Sequence, residues 1–170
     1  MAAPLGPENV FGYKASYRAK MSQATTTRYW VNIVSFNHVQ QGVAKGLIRP
    51  SRGDTGGFKS LSNGDCVVFY SPRTHFREGK PLQEFTALGV IDDDRLDQLQ
   101  SNDTDQCRIT FLPSKNVSIR GLVDDLTFLP DKEKWALPFS KGLFEISQAD
   151  FERIAQAMGI PEASYSSGNA

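Results

Sequence analysis

The residues best suited to chemistry in this chain are aromatic and basic, and they are interspersed. Tyr29, Trp30, Phe69, Tyr70, Phe76, Phe85, Trp135 and Phe139 are interleaved with Arg49, Arg52, Lys59, Arg73, Arg77 and Lys141. Aromatic faces stack on nucleobases and arginines hold phosphates, the combination found in readers of single strands. A base turned out of its stack can also be enclosed by aromatic walls and read along its edge. The same rings suit the core of a strand-rich domain, so composition alone leaves both readings open.

Other constellations are weaker. Residues 53–57, Gly-Asp-Thr-Gly-Gly, lie between Arg52 and Lys59, and the N–H groups of such a loop can cradle a phosphate. The segment lacks Walker spacing and a Lys-Ser/Thr ending, which argues against a nucleoside triphosphate site. Asp92, Asp93, Asp94 and Asp97 form an acidic run. Successive aspartates on an extended segment point to opposite sides, so a solvated loop is expected rather than a metal site. Cys66 and Cys107 have no CxxC spacing, and His38 and His75 cannot complete a zinc set with them. Two reduced, buried thiols are expected. No local arrangement links His38 or Cys66 to a nucleophile–base pair, so the reading is non-enzymatic, with no cofactor and no metal.

Charge sharpens the point. Nineteen basic and nineteen acidic residues cancel in a chain of 170 residues. Residues 1–82 hold eleven Lys/Arg against four Asp/Glu, and residues 83–170 hold eight against fifteen. A partner drawn by bulk positive charge is excluded, whereas a local basic face is not. No apolar run approaches the ~20 residues of a membrane span, and no secretion signal opens the chain. A cytoplasmic monomer without membrane contact is expected.

The elements that must position these groups are mostly strands. Residues 29–34, 66–70, 85–91, 108–112 and 143–146 are β-branched or aromatic runs, and a polar hairpin-like loop covers 71–82. A short helix runs from an Asn37 cap to Lys45 and stops at Gly46; Leu47-Ile48 is extended. Ser147 and Asp150 resemble a capping box, and Phe151, Ile154, Ala155 and Met158 follow at helical spacing. Residues 1–27 read as a flexible arm, 28–160 as one domain and 161–170 as a flexible tail. Met21, just before the first strand, is an alternative translation start. Strands with few helices and no βαβ alternation give an α+β class, a small, partly closed barrel with flanking helices.

A family likeness runs through these segments. Tyr29-Trp30-Val31-Asn32, Asn37-His38-Val39 with Gly42, Gly64-Asp65 and Tyr70-Ser71-Pro72 occur in order. Phe85-Thr86-Ala87-Leu88-Gly89, residues 125–128 (Asp-Leu-Thr-Phe), Trp135, residues 142–147 (Gly-Leu-Phe-Glu-Ile-Ser) and Asp150-Phe151 complete the series. The whole resembles the EVE domain family over about residues 28–159. That resemblance implies a PUA-like small twisted β-barrel related to YTH readers of methylated adenosine. It implies a module that binds a modified base of DNA or RNA in a pocket at the barrel mouth.

By position, the resemblance places Ile48, Arg49, Pro50 and Ser51 on one pocket wall and Tyr70, Ser71 and Pro72 on another. Trp135, Leu137 and Pro138 supply a loop wall, and Trp30 lies at or beneath the floor. Arg52, Lys59, Arg73 and Arg77 are the expected phosphate contacts. The chain departs from the family pattern at Ser51-Arg52-Gly53-Asp54, at Gln106-Cys107, at Ala136 and at Ser140. Two alternatives stand beside this reading. One is an ASCH-type hydrolase of a small modified nucleoside, using Lys59, Thr86 and Glu84; the other is a protein-interaction module without ligand.

Overall fold

The computed structural model describes residues 26–49, 60–93, 106–129, 131, 133–136, 138–139 and 142–166. Among these residues seven strands, β1 (Tyr29–Ile33), β2 (Leu47–Ile48), β3 (Cys66–Arg73), β4 (Pro81–Ile91), β5 (Cys107–Phe111), β6 (Val117–Ser118) and β7 (Leu143–Ile146), accompany two α-helices. These are α1 (Phe36–Lys45) and α2 (Gln148–Ala157). The strands form one sheet in the order β2-β5-β4-β3-β1-β7, with β6 paired to β4. β1 lies parallel to β3 and every other pairing is antiparallel. The architecture is α+β, a sheet curled into a half-barrel with two helices.

Strand alternation explains why both faces of this sheet are apolar. Val31, Cys66, Val68, Tyr70, Phe85 and Leu88 point to one side, where Phe151, Ile154 and Ala155 of α2 and its C-cap Met158 cover them. Trp30, Val67, Phe69, Ala87 and Ile91 point to the other, with Val39 of α1, Ile48, Cys107 and Ile109. Cys66 and Cys107 are both buried thiols outside any disulfide, one in each core.

The helix ends differ in detail from the sequence expectation. Ser35, not Asn37, is the cap residue of α1, and its side chain makes no capping bond. Gly46 ends that helix at φ +66, a left-handed conformation that a residue without Cβ adopts without strain. Ser147 accepts from the Asp150 N–H, the first half of a capping box. The Asp150 carboxylate does not return the bond. It accepts instead from Thr127 N and Oγ1 and from Phe128 N, at 2.9, 2.6 and 3.2 Å, pinning the 122–129 segment to α2.

Two boundaries moved. β3 and β4 extend to Arg73 and from Pro81, so the loop expected over 71–82 is a hairpin with a short tip. Tyr165, expected within a flexible tail, is buried and packs edge-on against Phe151 at 5.3 Å. The expected arm, apart from residues 26–27, and residues 167–170 lie outside the described residues.

Candidate base-binding cavity

β3 builds the centre of the site. Tyr70 and Pro72 lie two apart on that strand and share a face. With Gln83, Trp135, Ala136 and Phe139 they line a cavity of about 220 Å³. Tyr70 and Phe139 stack at 4.1 Å with planes 17° apart, and Phe85 meets Tyr70 edge-on at 5.5 Å. Trp135 stands edge-on to Phe139 at 6.2 Å. Burial pushes the Tyr70 hydroxyl well above its ordinary range, while the Arg120 charge works in the opposite direction. At neutral pH Tyr70 is therefore uncharged.

Gln83 brings an amide side chain to the lining of this cavity. Ser71 pairs with Glu84 and Arg73 with Pro81, so β4 spends one residue more than β3 here, a β-bulge. Gln83 sits in that irregularity at φ +57, left-handed for a residue that carries a Cβ. Its Oε1 accepts from Arg120 Nη2 at 3.2 Å. With the carbonyl end occupied, the amide keeps its N–H donors for another partner.

The structure brings Tyr70, Pro72 and Trp135 together and separates other expected site residues from them. Trp30 belongs to the opposite core, 7 % exposed, and its Nε1 donates to Asp65 Oδ2 at 3.0 Å. Its neighbour in β1, Val31, points to the Tyr70 side, so strand alternation forces Trp30 away from the cavity. Ile48 is buried in that same opposite core, while Arg49 is exposed at the end of β2. Ser71 is fully buried and bonded to Thr86 Oγ1 at 2.8 Å. It does not line the cavity of its neighbours Tyr70 and Pro72.

Pro138 is half-buried between Trp135 and Phe139 without lining the cavity. Arg73 and Arg77 are exposed on the β3–β4 hairpin. Pro50, Ser51, Arg52, Lys59 and Leu137, together with Asp94, Asp97, Ser140 and Lys141, lie outside the described residues. Asp93 is buried and accepts from Arg108 N at 2.9 Å, a structural role. No group of three His, Cys, Asp or Glu residues that could hold a metal occurs among the described residues. No helix among them is long and apolar enough to cross a membrane.

No protein-family model matches the chain. A UPF0310 protein of Mycolicibacterium vanbaalenii is 39% identical over 137 residues, covering 79% of this chain and 94% of that protein. The chain belongs to the UPF0310 family. Another UPF0310 protein, YdcG of Bacillus subtilis, is 31% identical over 137 residues, with the same 79% and 94% coverage. Among solved structures, protein Atu2648 of Agrobacterium tumefaciens overlays this UPF0310 chain with a TM-score of 0.49 at 16% identity. That match covers 80% of this chain and 96% of the other.

Of the cavity residues of this UPF0310 protein, Phe139 was expected only as one of the interspersed aromatics and Ala136 only as a departure from the family pattern, while Gln83 was not singled out. Phe139 carried a signal, standing four residues after Trp135 in an aromatic segment. Gln83 carried none, because a bulge at a non-glycine residue leaves no local mark in sequence.

Proposed function

We propose that this UPF0310 protein is a non-enzymatic module that binds nucleic acid by holding a modified base in the Tyr70–Trp135 cavity. The reading keeps the EVE-like order of motifs and the PUA-like barrel that the resemblance implies. Its chief support is the cavity itself, lined by three aromatic side chains and by Gln83, whose Oε1 is held by Arg120. Stacking supplies affinity, and an amide with free N–H donors can read a carbonyl or ring nitrogen on a base edge. At about 220 Å³ the space lies below the roughly 300–1,000 Å³ of drug-sized pockets, which suits a single ring system. The hydrolase alternative has less support, since Thr86 is buried and engaged by Ser71.

The test is a binding screen of modified and unmodified nucleosides and short DNA and RNA strands, at low salt and high protein concentration. Saturable binding of one modified base, lost in Trp135→Ala with circular dichroism unchanged, supports the reading. Absence of binding across the panel overturns it, and turnover of a nucleoside would move the assignment to the hydrolase.

A further inference from the structure

The hairpin between β3 and β4 rises directly from the cavity. Pro72 lines the cavity one residue before Arg73, and Gln83 lines it two residues after Pro81. The tip between them is tightly built. Thr74 N donates to Lys80 O at 3.0 Å, Lys80 N donates to Thr74 Oγ1 at 3.0 Å, and Arg73 Nη1 donates to Gly79 O at 3.1 Å. A Cβ on Gly79 would meet His75 N at 2.2 Å, so only glycine closes this turn without a shift. From the side, Asn37 N at the start of α1 donates to Thr74 O at 3.0 Å.

This rigid tip presents an aromatic ring to solvent. Phe76 is 64 % exposed, the most exposed large apolar side chain among the described residues. The Arg77 guanidinium lies 5.2 Å from its ring centroid. Arg77 itself holds φ +67, a backbone conformation that its side chain does not favour. Arg73, Arg77 and Lys80 outnumber the one acid of the tip, Glu78.

We propose that this hairpin is a second contact surface for the strand whose base enters the cavity. Phe76 stacks on a flanking base, and Arg73, Arg77 and Lys80 hold the phosphates between. The inference rests on the reading of the cavity as a base site. Phe76 lies four residues along the chain from Pro72, in the turn beyond the end of β3 and outside the cavity lining, a reach of at most roughly 13 Å that suits a neighbour along the same nucleic-acid strand. A ring beside a guanidinium is the sequence-tolerant element of single-strand binding. A lone aromatic tip buries too little apolar area to hold a membrane surface by itself.

The experiment separates hairpin from cavity with a fluorescein-labelled seven-nucleotide strand, three thymines on each side of an abasic position, which offers the cavity no modified base. The wild-type chain binds this strand at 50 mM salt, and Phe76→Ala weakens binding about tenfold while Phe76→Trp retains it. Arg77→Gln lowers the slope of log affinity against log salt by about one. Phe76 is exposed, so its truncation leaves the thermal midpoint in place, which a melting curve verifies. Failure of the wild type to bind this strand overturns the proposal, as does equal binding by Phe76→Ala. Phe76-dependent binding to anionic phosphatidylglycerol vesicles without strand binding overturns it in favour of a lipid contact. Strand binding that survives when every nucleoside of the screen fails removes the cavity reading and leaves the hairpin as a binding surface.

Discussion

Trp30 donates its indole N–H to Asp65 Oδ2 at 3.0 Å inside the core on the α1 side of the sheet. Asp65 also accepts from Arg28 N and Ser62 N, at 3.2 and 2.9 Å, with the Arg28 guanidinium 3.5 Å away. One buried carboxylate thus ties the start of β1 to the turn ahead of β3. Asp65→Ala leaves a buried indole N–H without a partner and is expected to cost about 2–4 kcal/mol, measured by urea unfolding. A loss under 1 kcal/mol would show that water replaces the carboxylate.

Gln83 supports the opposite expectation. Glycine tolerates φ +57 better than glutamine does, so Gln83→Gly is expected to stabilise the fold by up to about 1 kcal/mol. The thermal midpoint should rise by roughly 2–4 °C. Nucleoside affinity should fall in the same variant, because the amide is gone. A stabler protein with unchanged affinity would remove Gln83 from the site.

Asn32 gives a second stabilising substitution. It is buried on β1, and its Nδ2 is the one such side-chain atom without a hydrogen-bond partner among the described residues. Its register partners, Phe69 and Leu143, are apolar. Asn32→Val removes an unpaired amide and adds a strand-forming side chain, with an expected gain of about 1 kcal/mol by denaturant unfolding. Destabilisation would instead place an ordered water against that amide.

Alkaline pH is expected to weaken the fold. Burial, then the charge of Asp65, pushes the Cys66 thiol from 9.0 up to about 12. Burial, then Glu152 and Glu162, pushes Tyr165 from 10.0 up to about 12. Above pH 9 the unfolded chain releases protons that the native chain retains, so stability falls as pH rises from about 9 to 12 and is fully present below that window. Thermal midpoints between pH 8 and 11 measure the fall, and Cys66→Ala should make it shallower. A disulfide reagent at pH 8 should leave Cys66 unmodified in the native protein and label it once urea is added.

The pattern of agreement follows from what each signal depends on. β7 and α2 were legible because a short apolar run and a 3.6-residue stripe are local, and Ser147 marks the start of α2. Tyr70, Pro72 and Trp135 line one cavity. Trp30 and Ile48 did not join them, because both faces of the sheet are covered and alternation alone does not say which face opens. The parallel pairing of β1 with β3 is a long-range choice with no mark in either strand. The bulge at Gln83 was equally invisible, since a strand's sequence does not count the residues of its neighbour.

The place of β1 between β3 and β7 also sets an order of events. Val31 pairs with Val68 on one side and with Phe144 on the other, the second partner lying roughly a hundred residues downstream. During synthesis β1 waits, one edge unpaired, until Leu143–Ile146 has followed it out of the ribosome. Closure of so long a loop is slow, and the waiting edge can pair with other chains. Ribosome-bound chains ending before Leu143 are therefore the stage at which a chaperone has most to protect.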